Sequence, residues 1–286
     1  MGIKTFLLSL LLTIVGWLNP SLLFYFFLLG ALTIGMLHGS FDYDVFKLTA
    51  KPNHIKRHIL FFVFYLAAAI CIFYLFYLYP FFSFCLFLLY SAFHFGIADE
   101  YQLKTLPGLI LGISILTLPT LLHSNNMTMI YHFFISANET AILVTFSQYV
   151  AIITTILILL FFVKKPNLSI LLLLTSSLLA LPLAFFSAFF CFEHSLNYIY
   201  KLNDEYRNKV THKILYRGIV FTLISMLIVF VLATELNQLR LEENALFKSF
   251  IYVIAALSFP HIILIEYMKF VSRRRSLSMS NNDKFI

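Results

Sequence analysis

The chain has 286 residues, of which 61% are hydrophobic and only 12% charged, with a mean hydropathy of +0.90. Soluble domains carry roughly a quarter charged residues, so a water-soluble globule is excluded, and 34 Phe with 16 Tyr leave lipid as the fitting solvent. The net charge of +7 does not point to a nucleic-acid partner, because the bases sit in short loops and in Arg273, Arg274 and Arg275, where they read as topology signals.

Backbone groups in lipid must be satisfied internally, by helices or by a closed barrel. A barrel shows alternating segments of about ten residues. Here the apolar runs are continuous and reach about 20 residues, the length of a membrane-crossing helix. The first run, Lys4 and then Phe6 to Val15, mimics a signal peptide but lacks a small-x-small cleavage site and leads into Trp17-Leu18-Asn19-Pro20. It reads as a retained first span. Interruptions by Pro, Asn and charge then predict spans near 4–18, 21–38, 58–79, 81–98, 105–122, 140–163, 168–181, 183–200, 214–233 and 246–271.

The stretch before Pro182 is short, and charge decides whether 168–200 is one helix or two. Two helices place Lys47, Lys51, Lys56, Arg57, Lys104, Lys164, Lys165, Lys201, Arg207, Lys209, Lys213 and the Arg273–Arg275 tail on the side of the N-terminus. The opposite side keeps a lysine-free segment, 123–139, and a segment, 234–245, in which Arg240 faces Glu235, Glu242 and Glu243. The positive-inside bias thus favours an all-α, polytopic transmembrane helix bundle of about ten spans in the cell inner (plasma) membrane, with both termini cytoplasmic. Residues 1–271 form one transmembrane domain, and the Ser-, Arg- and Asn-rich 272–286 is expected to be a disordered cytoplasmic tail. Cys71, Cys85 and Cys191 lie within apolar runs without a CxxC pair, which fits packing rather than disulfides.

An ionisable side chain inside a span is costly and asks for a reason. Four histidines qualify: His38 in Gly35-Met36-Leu37-His38-Gly39-Ser40-Phe41-Asp42, His94 in Phe93-His94-Phe95-Gly96-Ile97-Ala98-Asp99, His194 in Cys191-Phe192-Glu193-His194-Ser195, and His261 in Phe259-Pro260-His261. With ten spans, His38, His94 and His194 fall near the cytoplasmic ends of three helices, and His261 lies deeper in the last. Neutral imidazole suits iron, copper or zinc, and metal sites in helix bundles are built from inward-facing side chains. A ligating histidine commonly gives its other N–H to a carboxylate. Asp42 sits one turn after His38, Asp99 follows His94, and Glu193 adjoins His194. A single helix-end histidine is more often an interfacial residue; three at one depth with acidic neighbours carry the metal reading. His54, His58 and His212 lie in basic loops, His123 and His132 on the outer side. Asp42 and Asp44 equally fit loop carboxylates near Lys47.

The blocks His38-Gly39-Ser40-Phe41-Asp42, Phe93-His94-Phe95-Gly96-Ile97-Ala98-Asp99, His194-Ser195 and Pro260-His261 resemble those of the Brp/Blh family of β-carotene 15,15′-dioxygenases. The resemblance implies a non-haem Fe(II) cofactor and cleavage of β-carotene by O2 at its central double bond to give retinal. The implied partners are the lipid bilayer, a lipophilic carotenoid and O2. His38, His94 and His194 would be iron ligands, with Asp42, Asp99, Asn197 and His261 around them. One position departs: the family's His-Ser-x-x-His reads His194-Ser195-Leu196-Asn197-Tyr198 here. Tyr198 therefore stands at the fourth ligand place, one turn from His194, and phenolate is an iron ligand in catalase. His261 belongs to a family block of its own and is not assigned to iron. Two other classes stay open. A membrane histidine-box oxygenase needs several HxxxH and HxxHH boxes; the sequence has no HxxHH, and its one HxxxH, His54-Ile55-Lys56-Arg57-His58, lies in a basic loop. A non-catalytic carotenoid- or retinal-handling protein or transporter would have Tyr198 as the mark of a degenerate iron site.

Overall fold

Each peptide group in lipid finds its partner most simply within its own helix. In a computed structural model the described residues, 2–50, 54–97, 105–163, 166–205, 212–238 and 245–282, are helical almost throughout and include no strand. Helix α1 (Gly2–Leu18) leads into α2 (Pro20–Gly30). Asn19 fixes that junction: its side chain accepts the Leu22 N–H at 3.0 Å, and Pro20 occupies the first turn. The helix then widens through a π turn, Ala31–Gly35, into α3 (Met36–Gly39), and α4 (Asp42–Ala50) follows. Helices α5 (Ile55–Leu78) and α6 (Pro80–Ile97) meet at Pro80. Next come α7 (Thr105–Thr117), α8 (Pro119–Leu122), α9 (Ser124–His132) and α10 (Ala137–Phe162), the last opened by a Ser136/Glu139 capping box. Helix α11 (Leu168–Leu179) ends before Pro182, which starts α12 (Pro182–Phe186). A second π segment, Ser187–Ser195, joins α12 to α13 (Leu196–Glu205), and α14 (His212–Gln238) and α15 (Ala245–Asn282) complete the bundle.

Among the described residues, seven helical stretches are long and apolar enough to cross a membrane, from Pro20–Lys47 to Ala245–Lys269, and Gly2–Leu18 and Leu168–Leu179 are shorter apolar helices. The chain is therefore a multi-pass membrane protein. The region 168–200 is broken at Ala180 and Leu181 into two helices. Their directions follow from α1. Gly2 abuts Ser169 and Gly16 abuts Leu181, so α11 runs parallel to α1. Thr5 hydrogen-bonds Glu193, so the segment after Pro182 returns antiparallel. Helix α15 stays helical to Asn282, beyond the end expected for the last span at Val271.

Lipid-facing and packed faces separate cleanly on α10, where Ile142, Phe146, Tyr149, Ile153, Ile156 and Leu160 are exposed and Leu143, Ser147, Ala151, Thr154 and Ile158 are buried. Polar bonds between helices set the registers. Tyr90 donates to the Ala255 carbonyl at 2.6 Å, Ser177 to the Ile115 carbonyl at 2.9 Å, and the Ser40 and Thr222 hydroxyls meet at 2.8 Å. Such bonds each contribute about 0.6–2 kcal/mol in a membrane.

The tightest seam lies between α6 and α7. Ala92 and Gly96 face Gly108 and Gly112, a small-xxx-small pairing on both helices that lets the backbones touch. A Cβ at Gly112 would strike the Ala92 carbonyl, and one at Gly96 the Gly108 carbonyl. His94 sits inside this seam's span of α6. Gly112→Ala is therefore expected to destabilise by about 1–3 kcal/mol through overpacking, seen as a lowered thermal midpoint in detergent. Gly39→Ala, where an added Cβ meets nothing within 4 Å, should leave that midpoint unchanged or raised.

Candidate metal centre

Four segments from different parts of the sequence deliver the intramembrane histidines to one place. His38 follows the first π turn, His94 lies near the end of α6, His194 is in the second π segment, and His261 follows Pro260 in α15. A π turn rotates the residues after it relative to an α-helix and is frequent at functional sites. The Ser195 hydroxyl donates to the Phe190 carbonyl five residues back, at 2.7 Å, and ties down the second of them. The two π segments also touch. Gly35 lies against the Phe190 ring, leaving no room for a Cβ, and Phe190 meets the His38 ring edge-on at 6.0 Å.

One ring nitrogen from each of His38, His94 and His194 falls within 4.8 Å of the others. His94 Nε2 and His194 Nε2 lie 3.0 Å apart. Two nitrogens bound at right angles to one metal, at about 2.1 Å each, lie about 3.0 Å apart. The histidines therefore fit a metal, and the triad needs only a small closure at its widest pair, since nitrogens on opposite sides of an ion are about 4.2 Å apart. His38 and His194 are buried and His94 is half-buried. The His38 tautomer is set by its neighbour: Nδ1 lies 2.6 Å from the Gly35 carbonyl, which only accepts, so Nδ1 carries the proton. Nε2 is left as a lone pair, buried and without a hydrogen-bond partner among the described residues.

His261 reaches the same place, although its position along the last span had set it deeper. The Tyr90–Ala255 bond fixes the register of α15 against α6, and about one to two turns further on the His261 ring lies 5.3 Å from His94 and 4.9 Å from His38. The Tyr198 ring comes within 5.5 Å of His38 and 5.8 Å of His261. Asn197 is half-buried on α13, and Asp99 lies outside the described residues.

Among the described residues, Asp42 and Glu193 bond side chains from distant helices. Asp42 bonds His261 Nδ1 at 2.6 Å through one oxygen and accepts the Tyr65 hydroxyl at 2.7 Å through the other. Glu193 turns to Thr5 of α1. Asp44 is buried and pairs with Arg217 of α14 rather than facing a loop lysine. Adjacent residues at the end of α3 and in the second π segment point to different helices, so proximity along the chain does not report these pairings.

The sequence matches the family model described as β-carotene 15,15′-dioxygenase over residues 29–269, a range that includes all four histidines. It is also similar to a β-carotene 15,15′-dioxygenase from an uncultured marine bacterium, 66A03, with 26% identity over 249 residues that cover 82% of this chain and 90% of that protein. No solved structure matches the chain.

The geometry makes a direct expectation of metal content. His94→Ala and His194→Ala, each purified and equilibrated with Fe(II), should lose affinity for the ion by at least about tenfold, read by elemental analysis after desalting. His132→Ala, at an exposed position of α9, should retain wild-type content. Equal iron in all three variants contradicts a metal at the triad.

Proposed function

The chain belongs to the β-carotene 15,15′-dioxygenase family, and on that premise we propose that it cleaves β-carotene, or a related carotenoid, with O2 at the central double bond to give retinal, using Fe(II) held by His38, His94 and His194. The observation that carries this reading is that His38 and His94 of the clustered histidines line an apolar cavity inside a membrane protein. The cavity measures about 160 Å³, room for on the order of ten waters, but it is walled by hydrocarbon and aromatic groups that suit a polyene instead. His38, His94 and His261 line it, as do Phe84, Tyr131 and Phe134. Those three aromatics pack on one another, Phe84 at 5.1 Å from Phe134 and 5.2 Å from Tyr131.

Distance along the cavity favours a central cut. Phe84 precedes His94 on the same helix by a rise of about 15 Å. An extended carbon chain advances about 1.2 Å per bond, so a chain reaching along α6 from His94 to Phe84 spans about twelve bonds. That is the count from the central double bond of β-carotene to the far side of its terminal ring. A polyene laid along this wall would have its central bond beside the histidines.

Bound Fe(II) supplies open coordination positions for O2, because three histidine ligands leave part of its shell free. The side chains do the rest. The imidazoles hold the ion as neutral donors, with the Gly35 carbonyl fixing the His38 ring. Phe95 and Phe190, at 5.1 and 6.4 Å from the His194 ring, keep water from the reacting bond. The aromatic wall positions the polyene, which is catalysis by orientation. Both atoms of O2 end in the two aldehyde groups, so no external reductant is needed.

The same reading includes ten crossings with both termini cytoplasmic. It is supported by the seven long spans, by α1 and α11, and by the return segment after Pro182, whose direction alternates with α11. Reporter fusions after Ser136 and at the C-terminus should give opposite signals, external and cytoplasmic; matching cytoplasmic signals contradict it. A second reading, non-catalytic handling of carotenoid or retinal, is favoured by Tyr198 standing where the family has histidine. Chromatography of pigments from β-carotene-producing cells separates the two. The wild-type chain should yield retinal, and Tyr198→His should yield as much or more. Retinal from Tyr198→His alone assigns the wild-type chain to handling, and no cleavage product from either removes the dioxygenase reading.

A further inference from the structure

We propose that His261 is the fourth imidazole on the metal, taking the ligand place that Tyr198 leaves vacant; this rests on the reading that the histidines hold an ion. The four rings form a folded square. Neighbouring centres lie 4.8 Å apart for His94 and His194, 4.9 Å for His38 and His261, 5.3 Å for His94 and His261, and 5.4 Å for His38 and His194. The diagonal from His38 to His94 is 6.5 Å. Imidazoles bound to one ion through bonds of about 2.1 Å have centres about 4.6 Å apart at right angles and about 6.5 Å apart across the ion. Three histidines account for two sides of this square. His261 supplies the other two, and its ring stands nearly perpendicular to both neighbours, at 87° and 82°.

The hydrogen bonding of His261 is that of a metal ligand. Its Nδ1 donates to Asp42 Oδ1 at 2.6 Å, and a carboxylate only accepts, so the proton resides on Nδ1 and Nε2 presents a lone pair. That Nε2 is buried and has no hydrogen-bond partner among the described residues. The side chains of His261 and Asp42 are 3% and 5% exposed, so water does not relieve it. The carboxylate is itself oriented, because Tyr65 donates to Asp42 Oδ2 at 2.7 Å and also lies 3.2 Å from the Leu257 carbonyl. Carboxylate, imidazole and ion in line is the arrangement in which an outer carboxylate fixes the tautomer and raises the basicity of a ligating histidine. Tyr198 instead packs against the edge formed by His38 and His261.

Co(II) binding to the purified full-length chain, followed by visible absorption, tests the assignment without any carotenoid. Wild type should bind Co(II) with a ligand-field spectrum that His261→Ala changes, together with a loss of affinity of at least about tenfold. Added imidazole should enter the space vacated in His261→Ala and restore the spectrum. Asp42→Asn should weaken binding by about 10–100-fold, whereas Tyr198→Phe should alter neither spectrum nor affinity. If His261→Ala does not fold, His261→Gln carries the same expectation. Unchanged binding by the His261 variants, a spectrum that responds to Tyr198→Phe instead, or no Co(II) binding by wild type overturns the proposal. A chain that meets these expectations yet forms no retinal keeps its four-imidazole site and loses only the dioxygenase reading.

Discussion

A lone pair buried in a lipid-immersed bundle has no water to meet it, and leaving such a group unsatisfied costs about 1–3 kcal/mol. Here several buried imidazoles converge on one point, and His38 Nε2 and His261 Nε2 are both bare among the described residues. The surroundings enforce this instead of relieving it. The Gly35 carbonyl holds the proton of His38 on the far nitrogen, and Asp42 does the same for His261. A single cation at the centre would satisfy the lone pairs together, and the local structure around them fits that demand. The two π segments turn His38 and His194 inward, Gly35 admits the Phe190 ring between them, and the Ala92, Gly96, Gly108 and Gly112 seam holds the helix that carries His94.

Much of the helical framework was legible in the sequence because lipid imposes a length rule. The runs read as 58–79, 81–98 and 105–122 appear as Ile55–Leu78, Pro80–Ile97 and Thr105–Leu122. Pro20, Pro80 and Pro182 each mark a real helix start, as a residue without an N–H does best in a first turn. The convergence of His38, His94 and His194 was also legible, since matched depth on different helices is a property of span boundaries.

Partnerships across the bundle were not legible. Asp42 looked like the companion of His38 because it lies one turn away, yet it serves His261, more than two hundred positions later. Glu193 adjoins His194 and turns to Thr5. The π segments carry no compositional signature, so the rotation they impose was invisible, and with it the side of the helix that each neighbour faces. His261 was set apart by counting residues from the end of its span, whereas the Tyr90 bond to Ala255 fixes its level. The aromatic cavity was hidden for another reason. With Phe spread over the whole chain, composition does not separate the cavity wall, such as Phe84 and Phe134, from lipid-facing Phe146.

The account stands or falls on one ion among these imidazoles. A structure of the Fe(II)-loaded protein, with anomalous scattering recorded on both sides of the iron edge, locates it directly. The account predicts a single iron peak about 2.1 Å from one nitrogen each of His38, His94, His194 and His261, with the Asp42 carboxylate still on His261 Nδ1. Iron elsewhere in the bundle, or the four rings moved apart with no peak between them, would contradict it.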